Sequence, residues 1–160
     1  MLNDAMYLLY NISMKLYPRL LVNTSVVRAN LRRMIEKVKI MSIELRPHVK
    51  TIHDPELAEI LRDEGINKIC VSNISMLHQF LAAGWRDICL AMPCPLAHSK
   101  ELNELCRQMD DLTLVLYVDH EDQLDVLTAL EGPFHLALEI DTGQRRSGIE
   151  WKQEGRVNAI

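Results

Sequence analysis

Apolar, strand-like runs alternate with amphipathic helical stretches five times at nearly constant spacing, which predicts an α/β fold built on a parallel sheet. The runs begin near Glu44, Lys68, Asp87, Leu112 and Phe134, in steps of 24, 19, 25 and 22 residues. Each step has room for a strand, a helix and two short connections. Runs such as "DICLA", "LTLVLYV" and "FHLALEI" are almost continuously apolar, as in strands covered on both faces. A closed TIM (β/α)8-type barrel and an open doubly wound sheet both give this rhythm. No GxGxxG follows the first strand, which weighs against the dinucleotide-binding form of the open sheet. A full barrel takes eight units and about 250 residues. With about five βα units in 160 residues, the chain by itself reads as a partial barrel.

The elements follow in order. Residues 1–16, "MLNDAMYLLYNISMKL", hold an apolar patch of signal-peptide length but lack a basic start and carry Asp4. They are expected to form an amphipathic extension packed on a domain spanning 17–160. "RLLVN" (19–23) is a short strand. Asn23 or Thr24 then caps a helix whose apolar residues Val27, Leu31, Met34, Ile35, Val38 and Met41 recur at helical spacing. Asp54 caps the second helix, Pro55 occupies its first turn and Gly65 stops it. A third helix covers 75–83 and halts at Gly84. The fourth runs from Ser99 to about Met109, and the fifth from Glu121 to Leu130, closed by "EGP".

Composition narrows the function classes. A net charge of −4 argues against nucleic acid or an anionic membrane as partner, since both favour a basic surface. The basic cluster in "VRANLRRMIEKVK" alternates with apolar residues and reads as a solvated helix face. Cys70, Cys89, Cys94 and Cys106 form no CxxC pair and no zinc spacing. A reducing compartment, the cytoplasm, and no disulfides are therefore expected. No stretch is long and apolar enough to span a bilayer.

In βα folds reactive groups gather at the carboxyl ends of the strands. That rule selects His48, Lys50 and Thr51; Ser72 and Asn73; Met92, Pro93 and Cys94; Asp119 and His120; and the segment 141–148. Lys50 stands out. A lysine in a barrel mouth loses hydration, which favours the free, nucleophilic amine needed to condense with a carbonyl. Pro47 stiffens the approach to it. In "EIDTGQRRSGIEW", Gly143 and Gly148 bracket Arg145 and Arg146 beside Asp141, so backbone can approach a ligand while an arginine holds an anionic oxygen. A solvated loop lysine and a glycine-bounded turn are the plain alternatives. His48 and His53 are wrongly spaced for a metal site.

Three motifs, "RPHVKT", "GWRDICLAMP" and "EIDTGQRRSGI", occur in an order and spacing that resembles the amino-terminal barrel of alanine-racemase-like enzymes. Within these, the sequence is similar to the D-threonine aldolase and D-serine dehydratase family, pyridoxal-phosphate enzymes of fold type III. The resemblance runs from about Tyr17 to Trp151. It implies that Lys50, in the "PHxKT" motif, condenses with the aldehyde of pyridoxal 5'-phosphate and takes part in proton transfer. It implies that Arg146, in "DxGxxRxG", hydrogen-bonds the cofactor's phenolic oxygen, with Gly143 and Gly148 at the flanking glycines. His48 lies in the first motif, and Asp141 either orients Arg146 or caps the turn. The sequence departs from many relatives in "PHVKTIH" and in "SMLHQ" (75–79).

The resemblance further implies a D-amino-acid lyase acting on a small amino-acid substrate, a homodimer in full-length form, and a divalent metal only in that form. The family's later strands and second domain supply the phosphate loops and metal ligands. This chain is accordingly expected to have weak or no activity by itself. The alternatives are an amino-acid racemase of the same fold and a non-catalytic fragment or pyridoxal-phosphate-binding module.

Overall fold

The computed structural model describes residues 7–9, 21–132, 134–152 and 155. Most of the expected amino-terminal extension and the start of the 19–23 strand lie outside the described residues. The chain divides into two compact units, one of residues 1–45 with 56–66 and one of residues 46–55 with 67–160.

In the first unit, strand β1 (Tyr7–Leu9) pairs antiparallel with β2 (Leu21–Asn23). Helix α1 (Thr24–Ile40) follows at once, because the Asn23 side chain accepts the Val26 N–H at 3.2 Å and so satisfies one orphan donor. Lys37 and Lys39 in its last turn suit the negative end of the helix dipole. Val27, Leu31, Ile35 and Val38 form a half-buried stripe. Met34 and Met41, expected on the same face, are exposed instead. At 3.6 residues per turn they fall to the edge of that stripe.

Helix α2 (Pro55–Asp63) opens on Pro55 and ends where Gly65 takes a left-handed φ of 86°. Near that end Arg32 grips Glu64 with two 2.7 Å hydrogen bonds, and Arg28 reaches Asp63 at 2.6 Å and Glu64 at 3.3 Å. These bonds, Arg32 first, hold the Glu64 carboxyl below its ordinary value of 4.5. A depressed carboxyl contributes stability above its unfolded value and loses it as pH falls through the folded one. Glu64→Gln should therefore flatten the acid limb of stability below about pH 4.5. Urea titrations across that range would read this, and an unchanged acid slope would refute it.

The second unit holds four parallel strands in chain order: β3 (Lys68–Val71), β4 (Asp87–Pro93), β5 (Thr113–Val118) and β6 (Phe134–Leu138). Helices α3 (Ile74–Ala82), α4 (Ser99–Gln108) and α5 (Glu121–Thr128) make the crossovers. A doubly wound sheet reverses its strand order at a switch point. Here each strand adds beside the last, the order of a (β/α)8 barrel.

The first expected strand is different. Residues 43–47 form no regular strand, and pairing is reduced to one parallel bridge between His48 and Cys70, with the Cys70 N–H on the Pro47 carbonyl at 2.8 Å. Pro47 has no N–H to donate, and Val49–Thr51 closes into a 3-10 turn, so the ladder cannot extend. The Arg46 guanidinium ties this segment to the sheet through the Ile69 and Asp87 carbonyls and a 2.7 Å ion pair with Asp87.

The two faces of the sheet differ. Ile69, Val71, Ile88, Leu90, Leu114, Leu116 and Val118 are buried on one face. The other bears Cys70, Cys89, Val115 and Tyr117, of which only Cys89 is fully buried. Burial thus alternates along β3 and β5 rather than continuing on both sides. An arc of four strands has only its own side chains to fill its inner face. On β6, Leu136 and Leu138 extend the aliphatic face but are exposed.

Beyond β6 the chain continues into β7 (Ile140–Asp141), which pairs parallel with β8 (Ile149–Glu150). The Glu139 N–H donates to the Val118 carbonyl and the Ile149 N–H to the Glu139 carbonyl, both at 2.8 Å. Among the described residues no helix is long and apolar enough to cross a membrane.

Candidate functional site at the carboxyl edge of the parallel strands

Each expected site residue sits at the carboxyl edge of the sheet, and hydrogen bonding sorts them. Ser72 Oγ contacts Met76 Sδ at 3.1 Å, and Asn73 caps α3 by accepting the Met76 N–H at 2.8 Å. Cys94 is buried, which pushes its thiol up to about 11. His120 Nδ1 accepts the Asp122 N–H at 3.2 Å, and Gln123 returns the favour by accepting the Asp119 and His120 N–H groups at 2.8 and 3.1 Å. This reciprocal cap starts α5 and occupies His120. Asp119 Oδ2 accepts the Gly148 N–H at 3.1 Å. Except for the buried Cys94, each of these residues bonds to a neighbouring backbone or side chain at the rim.

Lys50 is placed differently. It is exposed within the 3-10 turn, whose neighbour Val49 is fully buried and anchors the backbone. The Ile52 and His53 N–H groups both donate to the Val49 carbonyl at 3.0 Å, and His53 takes a left-handed φ of 51° to do so. His48 Nδ1 accepts the Lys50 backbone N–H at 3.3 Å, so that nitrogen carries no proton and only Nε2 is left to donate or accept. Burial, and then the Lys50 charge, lowers the His48 pKa. Both effects favour the neutral ring.

The segment 141–148 forms a compact loop. Asp141 Oδ1 accepts the Gly143 N–H at 2.8 Å, and both of its oxygens take the Arg145 N–H, at 3.1 and 3.0 Å. Those backbone bonds hold the Asp141 carboxyl below its usual range. Of the two roles open to Asp141, capping the turn is the one these bonds show. Ser147 Oγ donates to Glu139 at 2.7 Å and closes the far side. Arg146 is exposed at the head of this loop. Lys50 and Arg146 therefore stand on the same carboxyl edge, with β3, β4 and β5 between their strands.

Gly148 has the tightest seat. At its φ of 94°, an added Cβ would meet the Asp141 nitrogen at 2.8 Å, the Ile140 carbonyl carbon at 3.0 Å and the Glu139 oxygen at 3.1 Å. Gly143 also has a positive φ, 124°, but nothing lies within 4 Å of its Cβ position. Gly148→Ala should cost about 1–3 kcal/mol in backbone strain, and more if the loop must open. Gly143→Ala should cost less, since it meets no atoms. Denaturation midpoints of the two variants would test this order, and equal losses would refute it.

Sequence reasoning passed over Gln123, Glu139 and Arg46. Gln123 was within reach, because it falls three residues after the His120 cap, in the spacing of a capping box. The other two act across strands and leave no local signal.

Residues 22–159 match the alanine racemase N-terminal domain. The chain belongs to that family. As a member of the alanine racemase N-terminal domain family it is 31% identical over 136 residues to D-threo-3-hydroxyaspartate dehydratase of Delftia sp. (strain HT23), covering 82% of this chain and 35% of that protein. D-serine dehydratase of Dictyostelium discoideum is 28% identical over 156 residues, covering 89% and 39%. The solved structure of the Delftia sp. HT23 dehydratase superposes with a TM-score of 0.71 at 31% identity, over 79% of this chain and 34% of that one. The chain spans about a third of the length of these relatives. Among the described residues no cluster of three His, Cys, Asp or Glu side chains could hold a metal ion.

Proposed function

We propose that the chain forms the lysine-bearing part of a pyridoxal-phosphate-dependent lyase that acts on a D-configured hydroxy amino acid, of dehydratase or aldolase type. Lys50 carries the reading. It presents an exposed amine on a turn whose backbone is fixed, at the carboxyl edge of a parallel sheet. The two dehydratases described above, similar in sequence along most of this chain, support that substrate class.

The donor set suits the cofactor. An amine suits an aldehyde, and a guanidinium on the same edge suits an ionised phenolic oxygen. When bound, the cofactor supplies an aldehyde for amines and a pyridine ring that takes up electrons. This chain's own residues do the rest. Lys50 would hold the cofactor through its Nζ amine and would be the group here able to carry a proton at the substrate. His48, neutral and with Nδ1 engaged, adds no second positive charge beside it. Arg146 would orient the phenolic oxygen, and Asp141 and Gly143 would act on the cofactor through the turn that carries Arg146. In an eight-stranded barrel the first and fifth strands face each other across the mouth, so arms from both reach one ligand between them.

Pyridoxal phosphate followed by borohydride, then peptide mass mapping, tests this. A single adduct on Lys50 is expected. Adducts spread over the exposed Lys37, Lys39, Lys100 and Lys152, with none favoured, would overturn the reading.

A further inference from the structure

The inner face of the sheet holds two cysteines side by side. Strands β3 and β4 pair in register, with Cys70 opposite Cys89. Neighbouring strands run about 4.8 Å apart, inside the Cα separation of roughly 4.4–6.8 Å that a disulfide accepts. Both side chains fall on the same face of the sheet, which also bears Tyr117 of β5. Cys70 Sγ lies 3.9 Å from the Arg46 carbonyl. Cys89 is only 3% exposed, whereas Cys70 is half-buried, so the pair reaches solvent through Cys70.

Their environments are unequal. The neighbouring Cys70 thiol pulls the Cys89 thiol down to about 7, helped by the Tyr117 hydroxyl and the Arg46 guanidinium against burial and the Asp87 carboxylate. Cys70, beside Cys89 and partly buried, is pushed well up. One sulfur is thus poised as thiolate and the other keeps its proton. Cys94 and Cys106 are buried, which drives both thiols up to about 11.

We propose that Cys70 and Cys89 are a vicinal dithiol that closes reversibly to a disulfide when a small peroxide reaches the inner face. The Cys89 thiolate attacks the O–O bond. A sulfur–oxygen bond forms, and the other oxygen leaves with a solvent proton as water or an alcohol. Cys70 sulfur then attacks Cys89 sulfur, the S–O bond breaks, and water departs with the Cys70 proton. Two thiols are oxidised and one peroxide is reduced. Two equivalents of a small thiol reverse the change. The segment that bears Lys50 is fastened to Cys70 through the His48 bridge and the Pro47 carbonyl, so the dithiol lies directly beside the candidate site. The inference stands whether or not that site takes a cofactor.

The test uses the whole chain with stoichiometric hydrogen peroxide, followed by intact mass and a non-reducing peptide map. The expected result is a loss of two hydrogens and one cross-linked peptide joining Cys70 to Cys89, both reversed by dithiothreitol. Cys70→Ser should stop at a sulfenic acid on Cys89 that dimedone traps, and Cys89→Ser should give neither product. Oxygen addition at Cys94 or Cys106 before any cross-link would overturn the proposal, as would cross-links between molecules or equal trapping at Cys70 in Cys89→Ser. If either variant fails to fold, the wild-type map decides alone.

Discussion

Lys50→Ala should remove the borohydride-stable cofactor adduct completely while leaving the unfolding transition where it is. The Lys50 side chain is exposed and the turn beneath it is held by Val49 and by backbone bonds, so the change in stability should stay within about 0.5 kcal/mol. Lys50→Arg should lose the adduct as fully, because a guanidinium keeps its charge and does not condense with an aldehyde under these conditions. A second readout is independent of the cofactor. Burial and then the Lys50 charge depress the His48 pKa, so removing that charge leaves only the burial and should raise the value. A proton titration of the His48 ring by NMR measures it. An adduct yield in Lys50→Ala equal to wild type would remove the basis for the enzyme reading.

Trp85→Ala should be among the most damaging single changes to the fold. Trp85 is 1% exposed and stands edge-on to the fully buried Phe80, with ring centres 6.4 Å apart and planes 63° apart. Its backbone N–H returns to the Phe80 carbonyl at 3.0 Å, directly after the left-handed turn at Gly84 that ends α3 and admits β4. Removing the indole takes away this contact, leaves a cavity and should cost about 3–5 kcal/mol. That is a large share of the roughly 5–15 kcal/mol that holds a domain together. Trp85→Phe should retain much of it. Chemical denaturation followed by circular dichroism would measure both, and a loss under about 1 kcal/mol for the alanine variant would contradict this packing account.

How far the sequence reached differs between helices and strands. Asn23, Gly65 and Gly84 act within a few residues of themselves, through a cap or a left-handed turn, so those helix ends could be read directly. Lys50 was reachable too, because a basic residue at the end of an apolar run falls at the rim of any βα sheet. Arg146 shared that rim through its glycine-bounded loop. The inner edge was not legible. Near Glu44 a strand was expected, yet Pro47 withholds a donor and Val49–Thr51 curls into a turn, leaving one bridge. Met34 and Met41 fit a helical period but lie off the covered stripe, since what covers a helix is set by its neighbours.

The order of βα units, the helix caps and the candidate amine were written in local chemistry, where each residue's preference depends on the next few along the chain. Two things depended on tertiary structure: the opposition of Cys70 to Cys89 and the grip of Asp119 on Gly148. These contacts join residues that are far apart in sequence, or that meet only once the strands are in register. A register is decided by cross-strand bonding and packing energies that no single segment contains.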